Sequence, residues 1–410
     1  MALVPTTVQE RRYYVRDSFN PSSPTQILEY MKAKGFEGGR NHKSKTGLPS
    51  TDEDTLQRLA KRDPFFRHIL TWRSLGKLDS TYATGLLARA DSGSRVHSRF
   101  THVPSTWRLS SVDPNLQNIP SPDDLALGME ETVSAAEIRR AIVAGPDCTL
   151  VSADFSSIEA VVTGWYAGDP DYMRLARYGI HSYLLSHKLG RPADLSWSDS
   201  DLSAYLSEIK DEHHNTRPYK ALKKTVYTTS YGGGPFQLHK DSPALFPSLR
   251  AADDAQSFYF ELCPKLKAWQ SSVRARADSQ GYLGGDDHPY HFKHWFWDVV
   301  TWDPHKKERV AGSDWNRCVA FYPQSTTAGI QFDAALLLQD PTSPWYSGDL
   351  YHGSTPLRAL IHDEILAECP NTHLDRFLEN LRMAMKAPMP QLSLGHSIHV
   401  GPNWASLRSV

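Results

Sequence analysis

Residues 148–168, CTLVSADFSSIEAVVTGWYAG, constrain the fold more than any other stretch. Cys148 to Ala153 form a short apolar run with β-branched residues, which predicts a buried strand closed by Asp154. Two serines that are favourable helix N-caps follow, and apolar residues then recur at helical spacing. The stretch predicts a strand, a carboxylate at its open end, a turn, and a helix with Glu159 in its first turn. By itself it also fits an Asp that merely caps a helix.

A second stretch, LRALIHDEILAEC at 357–369, places two apolar runs on either side of His362, Asp363 and Glu364. This pattern predicts a tight β-hairpin that carries paired acids at its turn. Adjacent carboxylates on a turn are usually only solvated. A second Asp at a strand end is nevertheless what a two-metal site requires, because carboxylates from two segments must hold the ions.

The third stretch, RPYKALKKTVYTTSYGGG at 217–234, reads as a helix that ends at its glycines. Lys223, Tyr227 and Tyr231 lie at i, i+4 and i+8, so one helical face offers a cation and two aromatic rings. Cations suit a triphosphate and rings suit a base. Further basic residues on or near this face are Arg217, Lys220 and Lys224.

Together the three stretches resemble motifs A, B and C of family A DNA polymerases, the bacterial DNA polymerase I type with its phage and mitochondrial relatives. The resemblance covers roughly residues 17–410 in family order. Further matching stretches are DSFNPSSPTQILEYM at 17–31, STYATGLL at 80–87, RLSSVDPNLQNIP at 108–120, GIHSYL at 179–184, FYFELCPKLKAW at 258–269 and GPNWASL at 401–407.

The fold that this resemblance implies is α+β: a right-hand polymerase fold with an antiparallel-sheet palm, helical fingers and a helical thumb. The expected divisions are a lead-in at 1–16, the thumb at 17–90, a first part of the palm at 91–167, the fingers at 168–300 and a second part of the palm at 301–410.

The implied function is a template-directed DNA polymerase that adds deoxynucleotides to a primer 3′-OH and releases pyrophosphate. The implied cofactor is a pair of Mg²⁺ ions, for which Mn²⁺ could substitute, held by Asp154, Asp363 and the carbonyl of Phe155. Lys223 is expected to neutralise charge on the phosphates, and Glu364 to be a secondary acid. The expected nucleotide-binding residues are Glu159, His181, Arg217, Lys220, Lys223 and Tyr227, and those for primer-template DNA are Arg108, Gln117, Asn118, Tyr231, Gly232, Gln324 and His362.

Two features refine the expected function. A carboxylate at Glu159 would exclude a ribose 2′-OH, which favours DNA synthesis over the RNA synthesis of single-subunit RNA polymerases. The family has an Arg four residues before the motif B Lys, where this chain has Tyr219, so Arg217 or Lys220 is expected to substitute. The alternative function is a catalytically weak primer-template binding subunit that needs a partner.

Residues 284–305, GGDDHPYHFKHWFWDVVTWDPH, depart from the family, whose relatives often carry a basic hairpin turn here. His288, His291 and His294 could suggest a metal site beside Asp286 and Asp287. Their spacing lacks a fourth ligand at a diagnostic distance, so an aromatic cluster that packs on the palm is favoured.

The composition is typical of a globular chain, with 22% charged and 40% hydrophobic residues. Four scattered cysteines without a CxxC pair indicate free thiols in a reducing compartment. No apolar run is long enough for a membrane span, which predicts a soluble cytoplasmic protein. No room is expected for 3′–5′ or 5′–3′ exonuclease domains, so a separate exonuclease or replication protein is a possible partner; this small size suits a phage enzyme acting in the host cytoplasm.

Overall fold

The computed structural model describes residues 19–36, 50–102, 104–119 and 136–410. The chain forms two compact units, Met1–His97 with Ile119–Arg139 and Ser98–Asn118 with Arg140–Val410. The lead-in expected at residues 1–16 lies outside the described residues. Among the described helices, none combines the length and the apolar character that crossing a membrane requires.

The first unit is helical where it is described. Its small core is formed by buried apolar side chains of three helices: Ile27, Met31, Leu56, Phe66 and Ile69. The helices are α1 (Pro24–Ala33), α2 (Glu53–Ala60), α3 (Phe65–Lys77), a π-helical segment (Leu78–Ala83), α4 (Thr84–Leu87) and α5 (Ala136–Arg140), whose last residue belongs to the second unit.

The second unit is built around a five-stranded antiparallel sheet with the strand order β11-β10-β3-β9-β8. Three two-stranded pairs accompany it, β1-β2, β4-β5 and β6-β7. The strands are β1 (Arg99–Thr101), β2 (Ser110–Val112), β3 (Cys148–Ser156), β4 (Tyr282–Gly284), β5 (Lys293–Trp295), β6 (Val300–Asp303), β7 (Glu308–Ala311), β8 (Leu357–Ile361), β9 (Glu364–Pro370), β10 (Gly395–Gly401) and β11 (Arg408–Ser409).

Most of the chain between β3 and β4 is helical, as the sequence predicts for residues 168–290. The helices of the second unit are α6 (Ile158–Tyr166), α7 (Pro170–Tyr178), α8 (Ile180–Lys188), α9 (Asp199–His213), α10 (Arg217–Ser230), α11 (Pro235–Asp241), α12 (Leu249–Leu262), α13 (Pro264–Gln280), α14 (Arg317–Leu337) and α15 (Leu374–Lys386), with short 3₁₀ turns at Asn371–His373 and Pro390–Leu392.

Two large cores hold this unit together. One packs β3, β9 and β10 against α6, α14 and α15, and Val151, Phe155 and Phe377 are fully buried in it. The other joins the helices α7 to α10 and α12 to α14 around Tyr259 and Phe321. Since helices and an antiparallel sheet form one unit, the predicted α+β class is confirmed.

The structure corrects four local expectations. β3 continues to Ser156, so Asp154 lies within the strand and not at its end. Ser157 precedes α6 with a left-handed φ of 51° and makes no side-chain cap bond. Residues 92–120, whose polar composition predicts irregular structure, contain the short pair β1-β2. Residues 324–338 have the pattern of an amphipathic helix that opens at Gln324, but α14 begins at Arg317 and is largely buried.

Candidate active site

Asp154 lies near the end of the central strand of the sheet. Its Cα pairs with Glu364 on one side and with Ser397 on the other. The backbone N–H of Phe155 donates to the carbonyl of Asp363 at 3.4 Å, so the motif C turn lies beside Asp154. Burial and the negative charges of Asp363 and Glu364 raise the pKa of Asp154 to about 7. A bound cation would relieve this repulsion between neighbouring carboxylates.

Glu364 has partners of its own. Its Oε1 accepts hydrogen bonds from Ser152 Oγ at 2.6 Å and from the indole N–H of Trp404 at 3.0 Å. Its backbone carbonyl accepts from Gln331 Nε2 at 2.9 Å. Because side chains two apart on a strand share a face, Ser152 and Asp154 both point to the side where Glu364 lies. These contacts fix Glu364 as a structural neighbour of Asp154.

The predicted tight hairpin is present as β8–β9, but its turn is only His362-Asp363, and Glu364 is the first residue of β9 instead of part of the turn. His362 has a left-handed φ of 56°. Its Nε2 lies 3.0 Å from the carbonyl oxygen of Gln117. The segment around Gln117 is therefore fastened to the motif C turn.

Both the nitrogen and the oxygen of the Gln117 side-chain amide form hydrogen bonds within the protein. Its Nε2 donates to the carbonyls of Leu109 at 3.0 Å and Leu360 at 3.4 Å, and its Oε1 accepts from the backbone N–H of Ser111 at 3.2 Å. Asn118, next in the chain, is exposed. This arrangement gives Gln117 a role in shaping the segment.

Arg108, Glu159 and Tyr231 form a polar cluster in which the Glu159 carboxylate is central. Arg108 forms an ion pair with Glu159, and their side chains are 23% and 17% exposed. The Tyr231 hydroxyl donates to the other Glu159 oxygen. Tyr231 also lies near Gln324, and burial is the main cause of its raised pKa. Three segments far apart in sequence thus hold one carboxylate in place.

The α10 helix has an exposed face that is basic and aromatic. Lys220, Lys223 and Tyr227 are exposed, and the ring of Tyr227 is 62% accessible. Tyr227 contacts Tyr231 edge to face, with 5.0 Å between ring centroids. Arg217 is also exposed, at the first position of the helix. The helix ends at Ser230, so Tyr231 lies just beyond it.

The turn after α10 is locked by an arginine. Gly232 has a φ of 77°, and a Cβ at this position would lie 2.9 Å from Arg274 Nη2 and 3.3 Å from Asn316 Cα. Arg274 donates to the carbonyls of Gly232 at 3.0 Å and Trp315 at 3.2 Å. Its guanidinium also lies over the Trp315 ring at 4.7 Å. This lock holds Tyr231 in register with Glu159.

His181 lies at the start of α8, half-buried beside α10. Burial and the charges of Lys223 and Lys210 lower its pKa to about 4, so it is neutral at pH 7. Its Nδ1 is buried and finds no hydrogen-bond partner among the described residues. Lys210, on α9, is a cation near this site to which the sequence analysis gave no role.

Tyr219 does not leave its hydroxyl free for a ligand. The side chain is 7% exposed, and burial raises the pKa of its hydroxyl. Its ring meets the ring of His181 edge to face at 6.1 Å. A residue at this position therefore joins α10 to α8, and a cation for this face must come from elsewhere.

Asp154 and Asp363 offer oxygen donors of the kind that a divalent cation binds. Within the described residues, no group of three or more His, Cys, Asp or Glu side chains is arranged to hold a metal ion. Glu364 is engaged by Ser152 and Trp404, so the candidate donors are the Asp154 and Asp363 carboxylates with a nearby backbone carbonyl such as that of Phe155. Hard oxygen donors of this kind suit Mg²⁺, which usually keeps several water ligands.

Of the histidines in residues 284–305, His288 is buried in the protein and His291 is exposed. His288 is 1% exposed, and its Nε2 lies 2.8 Å from Ser325 Oγ and 3.1 Å from Thr326 Oγ1 on α14. Its Nδ1 accepts from the backbone N–H of Tyr290 at 3.1 Å. The ring packs among Tyr290, Phe292, Phe321 and Tyr322. The predicted aromatic cluster is present, and His288 belongs to it.

Several residues of this site were not identified from the sequence: Ser152, Trp404, Gln331 and Arg274. Each acts through a hydrogen bond to a residue distant in the chain, and a single sequence carries no signal for such pairing. Trp404 lies within the GPNWASL stretch, which was the one available indication.

Residues 5–406 match the family model described as DNA polymerase family A. DNA polymerase I of Geobacillus stearothermophilus is 25% identical over 401 residues, which are 96% of this chain and 41% of that protein. DNA polymerase I of Lactococcus lactis subsp. lactis is 30% identical over 268 residues, which are 65% of this chain and 27% of that protein. This chain thus spans less than half the length of these curated relatives.

A solved structure titled "POL domain of Pol1 from M. smegmatis complex with DNA primer-template and dNTP" has a similar fold. Its TM-score is 0.74 at 23% identity, and the match covers 94% of this chain and 61% of that one. The likeness supports the fold expected from the sequence, a right-hand polymerase fold.

Proposed function

Because the chain belongs to DNA polymerase family A, we propose that it is a template-directed DNA polymerase that extends a primer 3′-OH with deoxynucleotides and releases pyrophosphate. The observation that carries this proposal is the pairing of Asp154 with the motif C turn. The raised pKa of Asp154, caused by burial and by Asp363 and Glu364, is typical of carboxylates grouped to bind cations.

Asp154, Asp363 and the carbonyl of Phe155 would hold two Mg²⁺ ions, with Mn²⁺ as a substitute. When bound, the ions would lower the pKa of the primer hydroxyl and neutralise charge on the leaving pyrophosphate. Glu364 would be a secondary acid that helps to position β9 beside Asp154, since Ser152 and Trp404 hold its carboxylate.

The exposed face of α10 would bind the incoming nucleotide. Lys223 would neutralise charge on the triphosphate, and the accessible ring of Tyr227 would lie against the sugar and base. Lys220 lies three residues before Lys223 on the same face, so it is the better substitute for the family Arg, with Arg217 at the helix start as a second cation. His181, neutral at pH 7, would contribute a hydrogen bond rather than a charge.

Glu159 would select deoxyribose. Its carboxylate is held by Arg108 and Tyr231, which supports a fixed steric barrier to a ribose 2′-OH. A mobile side chain could move aside, whereas one with two partners could not do so without breaking both contacts. This feature favours DNA synthesis over RNA synthesis.

The primer-template would contact the residues around this cluster. Arg108, with Asn118 and His362 at the fastened segment, would approach the minor groove, where polar side chains sense pair shape without reading sequence. Gln117 would act mainly by holding that segment, because its amide is already bonded. Tyr231, Gly232 and Gln324 would lie beside the templating base.

The proposed subdomains follow the sequence expectation. Residues 17–90 would form the thumb, 91–167 and 301–410 the palm, and 168–300 the fingers. The helical character of α1 to α4 and of α7 to α13 supports the thumb and the fingers, and the five-stranded sheet supports the palm.

Primer extension on a defined template with Mg²⁺ tests the proposal. We expect wild type to incorporate deoxynucleotides in preference to ribonucleotides, and Asp363→Ala to lose extension by a factor of about 10³ or more while it still binds primer-template. Asp286→Asn is the matched control, because Asp286 is a fully exposed acid outside the site.

A wild-type chain that binds primer-template but never extends it would refute the polymerase. It would instead support the alternative, a primer-template binding subunit that needs a partner. Equal loss of extension in Asp363→Ala and Asp286→Asn would show that the effect is not specific to the site.

A further inference from the structure

The strand pair β4–β5 carries an exposed row of aromatic side chains outside the candidate active site. Side chains alternate along the strand and the residues after it, so His294 and Phe296 face inward toward Phe321, at centroid distances of 6.3 and 5.9 Å. Lys293, Trp295 and Trp297 take the opposite, exposed side. The inward side chains pack in the core, whereas the outward side chains make no contribution to that core and are exposed to solvent.

The outer side forms an ordered ladder, which we define as Tyr282, Lys293, Trp295 and Trp297. Tyr282 and Trp295 pair across the strands with 5.0 Å between ring centroids. Lys293 Nζ lies over both rings, 3.8 Å from the Tyr282 centroid and 4.7 Å from that of Trp295. Trp295 and Trp297 are nearly parallel, at 4° and 5.4 Å. Trp295 and Trp297 are therefore already stacked, Tyr282 meets Trp295 edge to face, and Lys293 places a cation over the Tyr282 and Trp295 rings.

The ladder ends at Trp297, whose aromatic ring is largely exposed to solvent. Trp295 is 46% exposed and Trp297 is 81% exposed. Large aromatic side chains left together on a surface usually mark an interaction site. A ring whose orientation is already set by a stacked neighbour can bind a planar partner at a low entropic cost.

The ladder is physically connected to the segment that carries Arg108. The indole N–H of Trp107 donates to the carbonyl of Lys293 at 3.3 Å. The ring of Trp107 also stacks on Phe292, with a centroid distance of 4.7 Å and an angle of 9°. Because Arg108 follows Trp107 and pairs with Glu159, the ladder adjoins the surface proposed to bind primer-template.

We propose that the ladder is a stacking platform for the unpaired bases of a DNA strand, an inference that rests on the proposed polymerase function. Bases within a duplex are already stacked on each other, so only an unpaired strand exposes faces to Trp297. Lys293 supplies a charge for the backbone, and the exposed Lys306 and Lys307 in the next hairpin turn add two more. Stacking on aromatic rings tolerates any base, as a polymerase requires.

Two kinds of DNA strand offer unpaired bases to the ladder. One is the template ahead of the primer terminus, and the other is a strand displaced from a downstream duplex. Trp297→Ala is the main variant, because Trp297 is the most exposed ring of the ladder, at 81%, and its removal leaves the least buried surface uncovered. Trp302→Ala is the matched control, since Trp302 is 60% exposed on the neighbouring β6 and takes no part in the ladder.

The first measurement is the fluorescence anisotropy of a labelled oligodeoxythymidine with the full chain. We expect Trp297→Ala to weaken binding about fivefold or more, Trp295→Ala with Trp297→Ala to weaken it further, and Trp302→Ala to leave it unchanged. Tryptophan emission of wild type should be quenched by the oligonucleotide, and less so in Trp297→Ala. Equal affinity of Trp297→Ala and wild type, or an equal loss in Trp302→Ala, would overturn the proposal.

Extension on three primer-templates distinguishes the template strand from a displaced strand as the DNA that binds the ladder. The substrates carry a long single-stranded template overhang, an overhang of one templating base, and a displaced flap on a duplex. A loss for Trp297→Ala on the long overhang alone identifies the template, and a loss on the flap alone identifies the displaced strand. No loss on either overturns the platform. Extension on the one-base overhang should be equal in wild type and Trp297→Ala, and its absence in wild type would refute the polymerase function instead.

Discussion

Glu159→Gln is the most informative perturbation of the candidate active site. Gln has the shape of Glu, so the substitution removes the charge and keeps the bulk. Arg108 would then lie beside a neutral group with its side chain only 23% exposed. Tyr231 would keep an acceptor, but one that carries no charge.

The structure sets the size of the effect. Removing one partner of a fully buried ion pair costs about 3–5 kcal/mol. Here the two side chains are 23% and 17% exposed, so water offsets part of that loss. We expect Glu159→Gln to lower the free energy of unfolding by about 2–3 kcal/mol. Tyr231→Phe, which removes one hydrogen bond to a charged group, should cost about 1–2 kcal/mol.

Urea unfolding of both single variants and of the double variant measures these values. Because the Tyr231 hydroxyl donates to the Glu159 carboxylate, the effects of Glu159→Gln and Tyr231→Phe on the free energy of unfolding should fail to add by at least about 0.5 kcal/mol. The sugar preference should separate from stability: Glu159→Gln should still exclude ribonucleotides, whereas Glu159→Ala should admit them. A change below about 0.5 kcal/mol in Glu159→Gln, or full ribonucleotide acceptance by it, would refute the reasoning.

Three further results are expected. Gly232→Ala should lower the free energy of unfolding by about 1–3 kcal/mol in urea, since a Cβ at φ 77° would lie 2.9 Å from Arg274 Nη2; an unchanged midpoint would contradict this. Burial lowers the pKa of His288 to about 4 from 6.5, so protons favour the unfolded chain between those values and stability should fall as pH drops from 6.5 to 4. Unfolding across that range should be flatter in His288→Asn, and equal slopes would count against the assignment. Lys220→Ala should raise KM for deoxynucleotides about tenfold in steady-state extension, whereas Tyr219→Phe should leave KM unchanged because the Tyr219 side chain is only 7% exposed; an unchanged KM in Lys220→Ala would exclude Lys220 as the substitute cation.

The sequence by itself determined the local elements of the site. An apolar run with β-branched residues predicted the strand of Asp154, and two such runs around His362 and Asp363 predicted the hairpin. Helical spacing predicted the face of Lys223 and Tyr227, which is exposed as expected. These features follow from side-chain periodicity, which a single segment contains in full.

The element ends were less predictable. β3 runs two residues past Asp154, and α14 starts seven residues before Gln324. Pairing with β9 and β10 extends the strand, and the burial of most of its residues supports a helix that contains Pro323. In both cases neighbouring elements outweigh the local signal.

Only the tertiary structure decided which side chains share a partner. Glu364 is held by Ser152 and Trp404, and Glu159 by Arg108 and Tyr231. Such contacts join positions far apart in the chain, and each carboxylate takes whichever donors the packing brings within reach. Periodicity reports only which face of an element is buried, so the pairing of polar groups becomes defined when the elements pack.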